Sequence, residues 1–126
     1  MFTRIDHVAI SVKDRQKSID FYEKNFGFKK YFEHDVPGVP NIEKVVYLQL
    51  GSTVLELEHW TNEKKNTGYH FCLISDDFDL DYQRLKNAGI SVVMEPHIPE
   101  PRTPQETNWK RVVFKGPDGE LIEFRG

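Results

Sequence analysis

Four side chains in this sequence have the types and spacing to act together: His7, Glu56, His70 and Glu123. Imidazole nitrogen and carboxylate oxygen are borderline-to-hard donors, which suits Zn, Ni, Co, Fe or Mn better than a thiolate-rich site would. The two carboxylates are ionised at neutral pH, with an ordinary pKa of about 4.3, and would neutralise a dication. Four protein ligands leave further positions for water or substrate, the open arrangement of a catalytic metal rather than a closed structural one. Taken singly, each of the four reads more simply as a hydrogen-bonded or solvated strand residue. What lifts the set above that reading is repetition.

The chain writes one plan twice. Ile5 to Val12 alternates as a strand, Asp14 caps a helix that runs through Phe26, and Gly27 ends it. A short strand at Phe28–Phe32 leads into a Pro- and Gly-containing loop, 34–41. Lys44–Leu50 and Thr53–Trp60 then form a hairpin about Gly51-Ser52. After a polar linker, 61–68, the order returns. Tyr69–Ile74 is a strand, and Asp76 or Asp77 caps a helix with Phe78, Tyr82, Leu85 and Ala88 inward. Gly89 ends that helix, and Ile90–Met94 is a strand. A Pro-rich loop, 96–108, precedes strands Trp109–Lys115 and Glu120–Arg125, joined at Gly116-Pro117-Asp118-Gly119. The offsets agree: 63 residues from His7 to His70, 62 from Gly27 to Gly89 and 67 from Glu56 to Glu123.

Alternation places the four groups. His7 lies opposite Val8, Ile10 and Val12; Glu56 opposite Leu55 and Leu57; Glu123 opposite Ile122 and Phe124; His70 away from Phe71 and Leu73. All four therefore fall on the faces turned away from the helices. The expected fold class is α+β: two modules forming a curved mixed sheet, helices outside, with a metal-lined concave cavity. The expected organisation is a single domain, 1–126, with repeats at about 5–60 and 69–125. Glu58 shares the Glu56 face but is matched by Arg125, so it reads as rim. His34, His59 and His97 read as loop or surface residues, and Cys72 as a small buried filler.

Composition narrows the class. The 126 residues carry 17 basic and 20 acidic side chains, a net charge of −3 with the basic residues scattered, which gives no nucleic-acid footprint. A single cysteine fits a reducing compartment. No apolar run approaches the roughly 18 residues of a membrane span. The expectation is a soluble cytoplasmic protein with a small-molecule substrate, no nucleic-acid partner and no membrane.

The motifs also resemble a known family. Asp6-His7-Val8-Ala9-Ile10-Ser11-Val12, Ser18-Ile19-Asp20-Phe21-Tyr22 with Phe26-Gly27-Phe28, and Gly116-Pro117-Asp118-Gly119 with Ile122-Glu123 look like βαβββ modules of the vicinal oxygen chelate superfamily. That superfamily includes glyoxalase I, extradiol dioxygenases, methylmalonyl-CoA epimerase and antibiotic-resistance proteins. The His, Glu, His, Glu order of His7, Glu56, His70 and Glu123 is similar to glyoxalase I. Ser11 departs from the Arg of the bacterial pattern.

The resemblance implies a divalent metal, Ni²⁺ or Zn²⁺, with Co²⁺, Mn²⁺ or Fe²⁺ as further candidates. It implies isomerisation, through an enediolate, of the hemithioacetal of a 2-oxoaldehyde such as methylglyoxal and a thiol. Glu123 would be the main base, with Glu56 its symmetry mate, in a homodimer. The other readings are an epimerase, a thiol transferase, a dioxygenase, or a non-catalytic small-molecule-binding resistance protein.

Overall fold

A computed structural model describes residues 1, 4–64, 66 and 70–126. Tyr69, expected to open the fifth strand, lies outside them. The chain divides into two compact units, Met1–Asn66 and Thr67–Gly126. Each is a βαβββ module with one mixed four-stranded sheet.

In the first module β1 (Val8–Val12), α1 (Arg15–Phe26), β2 (Lys29–His34), β3 (Ile42–Leu50) and β4 (Thr53–Trp60) follow in order. The sheet order is β1-β4-β3-β2, with β1 parallel to β4 and the other pairs antiparallel. Register explains the core. Ile10, Leu57 and Val46 form one row across three strands, and Val8, Leu55 and Leu48 the next. Ile10, Val46, Leu48, Leu55 and Leu57 are all buried, as are Ile19 and Tyr22 of α1.

The Asp14 carboxylate accepts from Lys17 N–H at the head of α1. Gly27 closes the helix at φ +76°, a left-handed conformation that costs a side-chain-bearing residue about 1 kcal/mol or more. Beyond β4, the Asn66 side chain takes the Ser11 N–H at 2.9 Å and gives its own N–H to the Ser11 carbonyl at 2.7 Å, on β1, the end strand of this sheet.

The second module repeats this with β5 (His70–Ile74), α2 (Phe78–Asn87), β6 (Val92–His97), β7 (Arg111–Lys115) and β8 (Leu121–Arg125), in sheet order β5-β8-β7-β6. Asp77 caps α2. The helix packs on the sheet through Phe78 against Phe124, with ring centroids 5.0 Å apart, and Tyr82 against Phe114 at 6.2 Å.

Several boundaries differ from expectation. β1 starts at Val8, so His7 precedes the strand. β2 continues to His34 and β6 to His97, into segments that Pro and Gly content marks as loops. Pro96 is tolerated because β6 is an edge strand with irregular pairing. The long second loop contains a single 3₁₀ turn, Pro104–Glu106.

That turn is anchored by Glu106, 6 % exposed. It accepts from the Arg102 guanidinium and from the Arg102 backbone N–H at 3.1 Å. The guanidinium beside it holds the Glu106 carboxyl at about 2, well below its ordinary 4.5. A depressed carboxyl pKa stabilises the fold fully above about pH 4.5 and progressively less as the pH falls towards 2. Glu106→Gln is therefore expected to lower the denaturation midpoint at pH 7, and the gap from the unsubstituted protein should narrow by pH 3. Urea titrations at the two pH values measure both.

Candidate functional site

Parallel pairing at the start of each module positions the expected ligands. Ala9 lies opposite Glu56 across β1 and β4, and Cys72 opposite Glu123 across β5 and β8. In each module a His stands two residues before that small residue, on the same side of the strand, and reaches diagonally to the carboxylate. His7 Nε2 is 3.2 Å from Glu56 Oε2, and His70 Nε2 is 3.0 Å from Glu123 Oε2. The structure thus brings the four residues together as two pairs, one in each module. Among the described residues no group of three or more His, Cys, Asp or Glu is gathered at metal-binding distances.

The first pair belongs to a chain of hydrogen bonds. Asp6 Oδ2 lies 3.0 Å from His7 Nδ1 and fixes the ring; this carboxylate first, and Glu56 after it, raises the His7 pKa above its ordinary value. Arg4 holds the other Asp6 oxygen at 3.0 Å. On the far side Tyr47, opposite Glu56 across the β3–β4 hairpin, gives its hydroxyl proton to Glu56 Oε1 at 3.1 Å. Burial, and then the Glu56 carboxylate, push the Tyr47 hydroxyl pKa up.

His34 stacks on the Tyr47 ring, centroids 5.7 Å apart, with Nε2 3.2 Å from the hydroxyl. His34 is therefore part of the Glu56 network rather than a loop residue, because β2 extends far enough to carry it. His59 is also not a loop residue: it lies within β4, its Nδ1 3.1 Å from Arg15 Nη1. A cavity of about 550 Å³ opens beside His7, lined by Arg4, Asp6, Gln49, Ser52 and Thr53 among others.

The second pair has different neighbours. Glu123 is 5 % exposed, and its Oε2 accepts from Arg111 Nη2 at 2.8 Å. Arg125 Nε stands 3.7 Å from Glu123 Oε1. Cys72 is exposed rather than a buried filler, because the small residue between His70 and Ile74 shares their solvent-facing side. What shielding the sheet gives it, with Glu123 opposite, pushes its thiol up to about 11.

Of the other polar side chains noted in the sequence, Arg102 is committed to Glu106, and Lys64 sits 4.5 Å over the Trp60 ring. Tyr47 carried a usable signal. The Gly51-Ser52 turn fixes the hairpin register, and counting back from it sets Tyr47 opposite Glu56.

Residues 4–124 match the model of the Glyoxalase/Bleomycin resistance protein/Dioxygenase superfamily, and the chain belongs to that family. Over 128 residues it is 33 % identical to lactoylglutathione lyase of Neisseria meningitidis serogroup B, covering 96 % of this chain and 88 % of that protein. It is 27 % identical to the metallothiol transferase FosB of Shouchella clausii, covering 98 % and 80 %. The glyoxalase family protein from Enterococcus faecalis shares the fold, with a TM-score of 0.80 at 24 % identity over 99 % and 98 % of the two chains.

Hydrogen bonds to charged acceptors contribute about 1.5–3 kcal/mol, less where solvent reaches them. Tyr47→Phe, which frees Glu56 Oε1, is therefore expected to cost about 1 kcal/mol of stability. Denaturant unfolding reads this directly, and an unchanged midpoint would mean that the Tyr47–Glu56 bond is not held in solution.

Proposed function

We propose that the protein is a divalent-metal-dependent lyase of the glyoxalase I type. In this reading it isomerises the hemithioacetal of a 2-oxoaldehyde such as methylglyoxal and a thiol, in the cytoplasm and as a homodimer. His7 with Glu56, and His70 with Glu123, supply the protein ligands, and Ni²⁺ or Zn²⁺ is the metal, the same donors also suiting Co²⁺, Mn²⁺ or Fe²⁺. The observation that carries the reading is the equivalent His–Glu pair in each module. An imidazole nitrogen and a carboxylate oxygen that stand roughly 3 Å apart could both turn to one dication. The two pairs have that spacing, at 3.2 and 3.0 Å. The donor set fits, and Asp6 behind His7 is the kind of carboxylate that fixes a metal-ligating imidazole. The 33 % identical lactoylglutathione lyase supports the same choice.

A bound dication supplies Lewis acidity to neighbouring substrate oxygens. The chain's own residues do the rest. Glu123 takes the carbon-bound proton and returns it to the adjacent carbon, so no proton is lost overall. Its burial shields that proton from solvent. Glu56 is its counterpart in the first module, kept in orientation by Tyr47.

The purified protein should contain a divalent metal that EDTA removes. After reloading it should consume methylglyoxal in the presence of a thiol. Glu123→Gln should cut kcat at least roughly a hundredfold, the lower range for loss of a general base, and Glu56→Ala should weaken metal binding at least about tenfold. Failure to turn over with glutathione or any other thiol rules out this activity. A second reading, metal-dependent transfer of a thiol, draws on the FosB likeness and on Arg111, a cation beside Glu123 able to meet an anionic substrate. Product analysis with an electrophile in place of the oxoaldehyde separates the two.

A further inference from the structure

We propose that the sheet face of the second module that carries Glu123 is a binding site for a small oxyanion, a carboxylate or phosphonate group of the substrate, with Arg111 as its principal contact. The proposal deepens the metal-site reading in that it places the anion beside His70 and Glu123. Its physical support lies in the second module alone.

The first observation is register. Arg111 and Arg125 are direct partners across β7 and β8, so two guanidinium groups stand on one face of one antiparallel pair. Like charges directly opposite each other destabilise a sheet unless something lies between them. The first module has nothing comparable: its equivalent pair is Val45 and Glu58. The arrangement is therefore not a requirement of the fold.

The second observation is that the nearby carboxylates do not satisfy these arginines. Among the described residues, the carboxylates paired with Arg102, Arg111 and Arg125 are Glu106 and Glu123. Glu106 is engaged by Arg102. Arg125, only 7 % exposed, stands 3.7 Å from Glu106 and 3.7 Å from Glu123, beyond hydrogen-bond range of both. Among the described residues, Nε of Arg111 and Nε of Arg125 are buried without an acceptor. A buried guanidinium N–H without an acceptor is costly to keep, and a bidentate oxyanion is the group whose geometry matches it.

The third observation concerns access and competition. His70 and Cys72 on the same face are exposed, and the Arg111 side chain retains 26 % of its exposure, so a small anion can reach it. Among the described residues, the carboxylate oxygen at hydrogen-bond distance from Arg111 is Glu123 Oε2, which His70 Nε2 also faces. An oxygen given to a dication is a weaker partner for Arg111, so loading the metal leaves Arg111 freer for an incoming anion.

Isothermal titration calorimetry of D-lactate and, separately, methylphosphonate into metal-free protein tests the site without any metal. Saturable binding of either probe is expected, and the stronger of the two identifies the source of the oxyanion. Arg111→Met should weaken it at least tenfold, Arg111→Lys should weaken it less, and Lys44→Gln in the first module should leave it unchanged. Circular dichroism of each variant establishes that it is folded. In Zn²⁺-loaded protein the affinity should rise, and Arg111→Met should remove the rise. Absence of saturable binding by both probes overturns the proposal, as does binding that a folded Arg111→Met variant retains in full. Because the primary titration is metal-free, a protein that binds oxyanions but no metal would refute the lyase reading and leave this site standing.

Discussion

The parallel pairing of first and last strand within each module is the constraint on which the rest depends. A parallel pair cannot close through a tight turn; it needs a connection of a dozen residues or more. Here that connection is a helix, an edge strand and the first arm of a hairpin, which is the whole of the module. The pairing then fixes which residues meet: Ala9 against Glu56 and Cys72 against Glu123. A slip of one residue would move every side chain to the other face. Leu55 and Leu57 would lose their places in the core, and the carboxylates would be driven towards the helix. The same apolar rows that make the sheet stable therefore hold the His–Glu geometry in place.

On this common frame the two modules carry different chemistry. Glu56 is held by a neutral phenol that is itself stacked on an imidazole. Glu123 is held by a guanidinium, with a second one behind it. The first His–Glu pair is thus set by hydrogen bonding between polar groups and the second by full charges.

Much of this was legible in the sequence, for physical reasons that can be named. Helix limits at Asp14 and Gly27, and a cap at Asp76 or Asp77 that the structure gives to Asp77, follow from short polar side chains and a left-handed glycine, which are local effects. The two-residue alternation around Glu56 and Glu123 is also local. What the sequence hid was non-local. His34 looked like a loop residue because Pro37 and Gly38 lie close by, and only pairing with β3 carries the strand that far. Cys72 looked like core filler because small thiols usually are, yet its strand exposes alternate residues. The opposition of Arg111 and Arg125 depends on a hairpin whose register is set by the turn between them, and neither residue signals it alone.

Asn66 shows how the sheet is finished at its margin. Its side-chain amide meets both the N–H and the carbonyl of Ser11, as one peptide unit of an adjoining strand would. At that one position the amide does what a single residue of an adjoining strand would do. An unprotected edge at that point would offer a template to any extended segment of another molecule. With the amide seated there, the margin is closed to strand addition at Ser11. The asparagine thus occupies backbone groups that would otherwise be free to pair with an extended segment.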